Sequence, residues 1–320
     1  MLIVKDLKLH IESQGNILQI LRGVDFNLYK NEILGFAGES GCGKTLTALS
    51  IMKLNPKNSK ITQGSILFNN VDLLSKNEQE MAGIRGKNIS LIFQEPLTAL
   101  NPCFTVYWQI DEILRLHKPK LNRNERKEII IKTLSDVKLT DINKVLKSYP
   151  HQLSGGMRQR IVIAMAIICK PDIIIADEPT TSLDVTIQRE ILNLIDKIIQ
   201  ELKKTSMILI SHDINILTER CNRIMIMYLG EIVEVAEAKE LFNNPMHPYT
   251  KGLIKSTPRV SLSKKGFGYI EGDISIVDSN IECCLFNPRC SEGKPICIYK
   301  KPQLKKITNS NNHFVRCFNH

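Results

Sequence analysis

Gly38-Glu39-Ser40-Gly41-Cys42-Gly43-Lys44-Thr45 follows the apolar run Ile33-Leu34-Gly35-Phe36 and opens a stretch of helical spacing from Gly43 to Met52. A loop that fits G-x-x-x-x-G-K-[ST] between a buried strand and a helix forms a phosphate cradle. Its glycines let backbone N–H groups curl around a phosphate, and the helix N-terminus adds a partial positive charge. All eight residues, Gly38, Glu39, Ser40, Gly41, Cys42, Gly43, Lys44 and Thr45, are therefore expected at a nucleotide. Lys44 is expected to reach the β- and γ-phosphates, and the Thr45 hydroxyl to ligate Mg2+.

Downstream, Ile173-Ile174-Ile175-Ala176-Asp177-Glu178 reads as a buried strand that ends in two carboxylates. Beside a phosphate cradle, such an edge puts one acid near a metal–triphosphate and another near the attacking water. Asp177 takes the first role and Glu178 the second; alone, the same run is an ordinary strand end with solvated acids. Leu153-Ser154-Gly155-Gly156-Met157-Arg158-Gln159-Arg160 offers a second helix N-terminus suited to an anion. One nucleotide does not need two cradles on one chain. Ser154, Gly155 and Gly156 make sense if they close on a nucleotide held by a second such domain; the plain reading of Ser154 is an N-cap.

Around these motifs the pattern alternates between strand and helix. Residues 1–35 read as short strands around the turn Ser13-Gln14-Gly15-Asn16, and further strands are expected at Ser65–Phe68 and Ile89–Phe93. Residues 106–147 switch to helical spacing, as in Ile110, Ile113, Leu114 and Leu116. A helix from Gly155 to Cys169 leads to a strand at Ile173–Ala176. Val185–Lys204 is expected as a helix, Met207–Ser211 as a strand, and Ile224–Tyr228 with Glu231–Val235 as a hairpin. The alternation predicts an α/β core with a mostly parallel sheet and a helical insert at about 95–155. Beyond about 240 prolines interrupt the pattern, so the expected division is 1–240 for the core and 241–320 for a smaller domain.

Composition narrows the class. The chain has 320 residues, 43% of them hydrophobic and 24% charged, as in a globular protein. The longest apolar run, Ile161–Cys169, is closed by Lys170-Pro171-Asp172, far short of the roughly 20 residues a spanning helix needs. The start, Met1-Leu2-Ile3-Val4-Lys5-Asp6, is not a basic-then-apolar leader. Any membrane link is thus expected to run through partner proteins. The net charge is +10, and residues 241–320 hold 12 Lys and Arg against 5 Asp and Glu. That suits an anionic surface or a solvated lysine-rich face. Of nine cysteines, five fall between Cys283 and Cys317. The spacing Cys284-x5-Cys290-x6-Cys297-x19-Cys317 offers four thiolates, enough for a [4Fe–4S] cluster or a structural Zn2+, or four free thiols. No ligand pair has the Cys-x2–4-Cys spacing usual for zinc.

The order of motifs resembles that of the ATP-binding cassette (ABC) ATPases: the loop 38–45, Gln94, the signature 153–157, Asp177-Glu178, Ser182-Leu183-Asp184 and His212. The resemblance implies a P-loop cassette of mostly parallel sheet plus an antiparallel β subdomain, a helical subdomain and a small cysteine-rich tail. It implies ATP and Mg2+, with Thr45, Gln94 and Asp177 at the ion. Glu178, His212 and Gln94 would be catalytic, the signature would act in trans, and Ser182, Leu183 and Asp184 would lie at a dimer interface. The family usually stacks adenine on an aromatic residue, but residues 10–25 contain none, so no stacking residue is named.

Gln94-Glu95-Pro96-Leu97-Thr98-Ala99-Leu100-Asn101-Pro102, Tyr149-Pro150-His151-Gln152-Leu153 and His247-Pro248-Tyr249-Thr250 resemble segments of the dipeptide and oligopeptide importer ATPases. Nickel importer ATPases are close relatives, and a non-transport cassette is the remaining alternative. The implied partners are a second ATPase subunit, two transmembrane permeases and an extracytoplasmic solute-binding protein, with no direct nucleic acid. The implied place is the cytoplasmic side of the cell membrane. Phe286-Asn287-Pro288-Arg289 also resembles the tail of peptide importer ATPases, some of which carry a [4Fe–4S] cluster, here on Cys284, Cys290, Cys297 and Cys317.

Overall fold

The structure, a computed structural model, describes residues 1–13, 15–181, 184–256, 282–308 and 312–320. Ser182 and Leu183 lie outside the described residues. Two compact units divide the chain: Met1–Tyr29, Ile33–Ser75 and Leu209–His320 form one, Lys30–Glu32 and Lys76–Ile208 the other.

The first unit opens with β1 (Leu2–Ser13) and β2 (Asn16–Leu28), paired antiparallel from Leu2↔Leu28 to Ser13↔Asn16. The expectation of several short strands before residue 35 gives way to one long hairpin. Leu2, Val4, Leu7 and Leu9 are all buried, and a bulge between Val4 and Leu7, with Asp6 at φ 44°, keeps the apolar side facing inward. The phosphate-loop strand β3 (Ile33–Ala37) follows, then α1 (Lys44–Met52). β4 (Ser59–Phe68) and β5 (Val71–Asp72) complete an antiparallel sheet of order β2-β1-β4-β5.

The second unit carries most of the helices. α2 (Glu78–Ile84) starts in a capping box at Asn77 and Glu80. β6 (Ile89–Ile92) precedes α3 (Pro96–Ala99), α4 (Val106–His117), α5 (Arg123–Asp136), α6 (Ile142–Lys147) and α7 (Gly155–Ile167). Ile110, Leu114, Ile130 and Leu134 supply the apolar seam of α4 and α5. Across it the buried Asp111 carboxylate accepts from Arg126 Nε at 2.6 Å, and within α4 it pairs with Arg115 at 3.1 Å. β7 (Ile173–Asp177) lies parallel to β6, from Ile89↔Ile173 to Ile92↔Ala176. α8 (Val185–Leu202) and β8 (Ser206–Ile210) come next.

The chain then returns to the first unit through α9 (Ile214–Arg220), a short helix the spacing does not predict. β9 (Arg223–Tyr228) lies parallel to β3, and β10 (Glu231–Glu237) folds back on it as the expected hairpin. α10 (Ala238–Asn243) and α11 (Pro248–Ser256) follow. Near the C-terminus, β11 (Lys305–Lys306) and β12 (Phe314–Val315) extend the sheet, giving the order β11-β12-β10-β9-β3. Residues far apart in sequence thus meet on the sheet that carries the phosphate loop.

Candidate functional site

In the first unit, β3 delivers the chain to the loop 38–45 and Gly43 caps α1 with φ 106°. Gly38, at φ 149°, backs onto the Met227 carbonyl, and any Cβ there would collide with that oxygen and lie 2.8 Å from Cys42 Sγ. At Gly43 a Cβ would stand 2.7 Å from Leu21 Cδ2. Both positions therefore require glycine on conformational and steric grounds. Lys44, 5% exposed, donates from Nζ to Gly38 O at 2.8 Å and Glu39 O at 2.9 Å. These partners are neutral carbonyls, which leaves the ammonium charge for an anion. Burial raises the Cys42 thiol and keeps it neutral beside Lys44. Ser40, Gly41 and Thr45 are exposed along the loop. The donor set and the glycine backbone fit a nucleotide phosphate.

In the second unit, Asp177 ends β7 buried at 5% exposure. The next residue, Glu178, has φ 44°, a left-handed backbone that costs about 1–3 kcal/mol in a non-glycine residue. Its Oε2 accepts from Gln94 Nε2 at 3.1 Å and Thr181 Oγ1 at 2.9 Å. Gln94 itself is exposed beyond β6. The structure therefore joins Gln94 and Glu178 and adds Thr181, which the sequence motifs do not signal. On α7, Gln159 is 1% exposed and donates to Pro179 O at 2.6 Å, fixing the segment after Glu178.

Ser154 caps α7: its Oγ accepts from Met157 N at 3.3 Å. A Cβ on Gly156 would sit 3.3 Å from Ile187 Cγ2, so this glycine lets α8 pack close. Asp184 caps α8 by accepting from Ile187 N at 3.0 Å. His212 is exposed between β8 and α9 in the first unit, flanked by Ser211, whose Oγ accepts from Asp213 N at 3.0 Å.

At the C-terminal end, Cys284, Cys290, Cys297 and Cys317 lie within mutual electrostatic range. Burial, then the neighbouring thiols, pushes Cys284 up to about 12, and burial also raises Cys290 and Cys317. Cys284 N donates to Cys297 O at 3.0 Å, joining two turns of this segment. Among the described residues, no group of three or more His, Cys, Asp or Glu could hold a metal ion as placed. Neither the [4Fe–4S] cluster nor the Zn2+ read from the cysteine spacing thus has a preformed site. Four thiols in this range are the donor chemistry that either group takes.

Residues 21–181 match the family described as ABC transporter, and residues 233–297 match the oligopeptide/dipeptide transporter, C-terminal region. The chain is 46% identical to the dipeptide transport ATP-binding protein DppD of Bacillus subtilis, covering 98% of this chain and 93% of that protein. It is 40% identical to the oligopeptide transport ATP-binding protein AppD of the same organism, over 98% and 95%. Among solved structures it resembles a dimeric ATP-binding cassette in a post-hydrolysis state bound to ADP and Pi. That likeness has TM-score 0.67 and 27% identity, over 75% of this chain and 99% of the other. The chain belongs to the ABC transporter family and is one of its ATP-binding cassette ATPases. Within that family it carries the C-terminal region of the oligopeptide and dipeptide transporters. Among the described residues no helix is long and apolar enough to cross a membrane.

Proposed function

We propose that this ATPase drives uptake of dipeptides or oligopeptides through partner permeases, as one of two paired cassettes on the cytoplasmic side of the membrane. The observation that carries the hydrolytic role is Glu178, held by Gln94 and Thr181 on a left-handed backbone next to the buried Asp177. The peptide substrate is supported by the full-length similarity to dipeptide and oligopeptide transport ATP-binding proteins.

In this reading the loop from Gly38 to Thr45 wraps the phosphates, and Lys44 neutralises them. Mg2+, held by Thr45, Gln94 and Asp177, would screen the charge of the triphosphate. Glu178 accepts the proton of the attacking water, Gln94 orients that carboxylate, and His212 contacts the terminal phosphate. Ser154, Gly155 and Gly156 act on the nucleotide of the second cassette, and Ser182, Leu183 and Asp184 line the interface between them. Residues 1–240 form the cassette, 95–155 its helical subdomain, and 241–320 the C-terminal domain. Cys284, Cys290, Cys297 and Cys317 take a [4Fe–4S] cluster rather than Zn2+. Two permeases and an extracytoplasmic solute-binding protein complete the importer.

The test is uptake in cells that express the chain with its partners. Wild type restores accumulation of labelled di- or oligopeptides. Glu178→Gln binds ATP but lowers ATPase and uptake about 10²–10⁴-fold, the usual worth of a general base. Nickel uptake without peptide uptake overturns the substrate, and near-normal turnover in Glu178→Gln overturns the role of Glu178.

A further inference from the structure

Glu39 enters the phosphate loop as an unspecified position of the motif, yet two parts of the C-terminal region converge on it. Arg289 donates from Nη1 to Glu39 Oε2 at 2.7 Å and from Nη2 to Glu39 Oε1 at 2.9 Å. The Glu39 backbone N–H donates to the Tyr249 hydroxyl at 2.8 Å. One residue of the loop is therefore gripped at both its carboxylate and its amide.

The grip is built for rigidity. The Arg289 side chain is 5% exposed, with its guanidinium 5.8 Å from the centre of the Tyr228 ring. Tyr249 is fully buried, and its ring centre lies 4.8 Å from that of Tyr228 and 5.4 Å from that of Phe286. Arg289 itself closes a tight turn, donating from its backbone N to Phe286 O at 3.0 Å. A two-pronged arginine–carboxylate pair fixes direction as well as distance, which a lysine cannot do. The Met227 carbonyl packs against Gly38, the residue before Glu39.

We propose that Arg289 and Tyr249 are positioning residues for ATP: the C-terminal region holds the phosphate loop in its nucleotide-binding shape through Glu39. Neither residue touches the reacting atoms. They act by sparing the loop the ordering cost it would otherwise meet on binding phosphate. The pair spans 250 residues of sequence, so ATP affinity is tied to a segment outside the motifs. The inference does not depend on which metal, if any, the nearby cysteines take.

The experiment uses the full-length chain in the assembled transporter and reads KM for ATP separately from kcat. Arg289→Gln raises KM about tenfold, inside the roughly 5- to 150-fold range of such couplings, with kcat within about twofold. Arg289→Lys falls between it and wild type. Glu39→Gln in the Arg289→Gln background adds little, since both remove one interaction. A lowered melting temperature with KM unchanged means that the pair is only structural and overturns the proposal. If Arg289→Gln does not fold, Tyr249→Phe and Glu39→Gln read the same quantity; unchanged KM in both also overturns it.

Discussion

At the scale of the residue, His247, quoted in the sequence only as part of a segment, has a buried structural role that the segment does not reveal. It is 2% exposed and precedes Pro248 at the start of α11. Its Nδ1 accepts from Tyr249 N at 3.1 Å, a bond that needs an unprotonated ring nitrogen. Burial first of all lowers its pKa from 6.5 to about 4, against the attraction of Glu234 and Glu292 and with the repulsion of His320 and Lys251. The folded value lies below the unfolded one, so the unfolded chain binds this proton first. His247 therefore contributes full stability above about pH 6.5 and loses it as pH falls towards 4. The loss is on the order of 3 kcal/mol. Asparagine can supply the same capping acceptor without titrating in this range. His247→Asn should flatten this part of a pH–melting profile; an unchanged acid slope would remove His247 as its source.

At the scale of the element, α7 has a structural duty and a proposed functional one at its N-terminus. Ser154 already caps the helix and Gly156 already lets α8 approach, so neither residue idles within a single chain. Gly155 separates the two duties. A carboxylate there would oppose an incoming phosphate without removing the Ser154 cap. Gly155→Asp should leave ATP binding by the isolated chain within about twofold of wild type. ATPase in the assembled transporter should fall about 100-fold or more, the scale of losing one well-placed anion-stabilising group. Loss of binding by the isolated chain, to the level of Lys44→Ala, would mean that the helix serves its own nucleotide.

For the whole molecule, the C-terminal region is tied into the sheet rather than appended to it. β12 pairs with β10 through Glu234↔Val315. The buried Glu234 carboxylate lies 2.7 Å from His313 Nε2 and accepts from Met246 N and His247 N at 2.7 and 2.9 Å. Cys284, Cys290, Cys297 and Cys317 lie in this same region and would repel one another as thiolates, a repulsion that the proposed cluster would offset. Anaerobically purified protein should be brown and contain about four irons per chain. Cys317→Ser should bring the iron near zero and lower the melting temperature. One zinc and no iron would change the metal and keep the site; neither metal, with an unchanged melting temperature, would remove it.

The parts legible in the sequence are those whose physics is local. Gly38, Gly43 and Lys44 announce a phosphate loop because backbone angles and a helix N-terminus are set by a few adjacent residues. The hairpin expected at Ile224–Tyr228 and Glu231–Val235 and the buried strand expected at Ile173–Ala176 likewise follow from short apolar runs. α9 and the register of β12 stay hidden, since each is too short to carry a period. The left-handed backbone of Glu178 and its bond to Gln94, 84 residues away, belong to tertiary structure alone. So do the placement of Tyr249 and the pairing of Arg289 with Glu39. A hydrogen bond depends on distance in space, and spacing along the chain encodes that distance only within a helix, a strand or a turn.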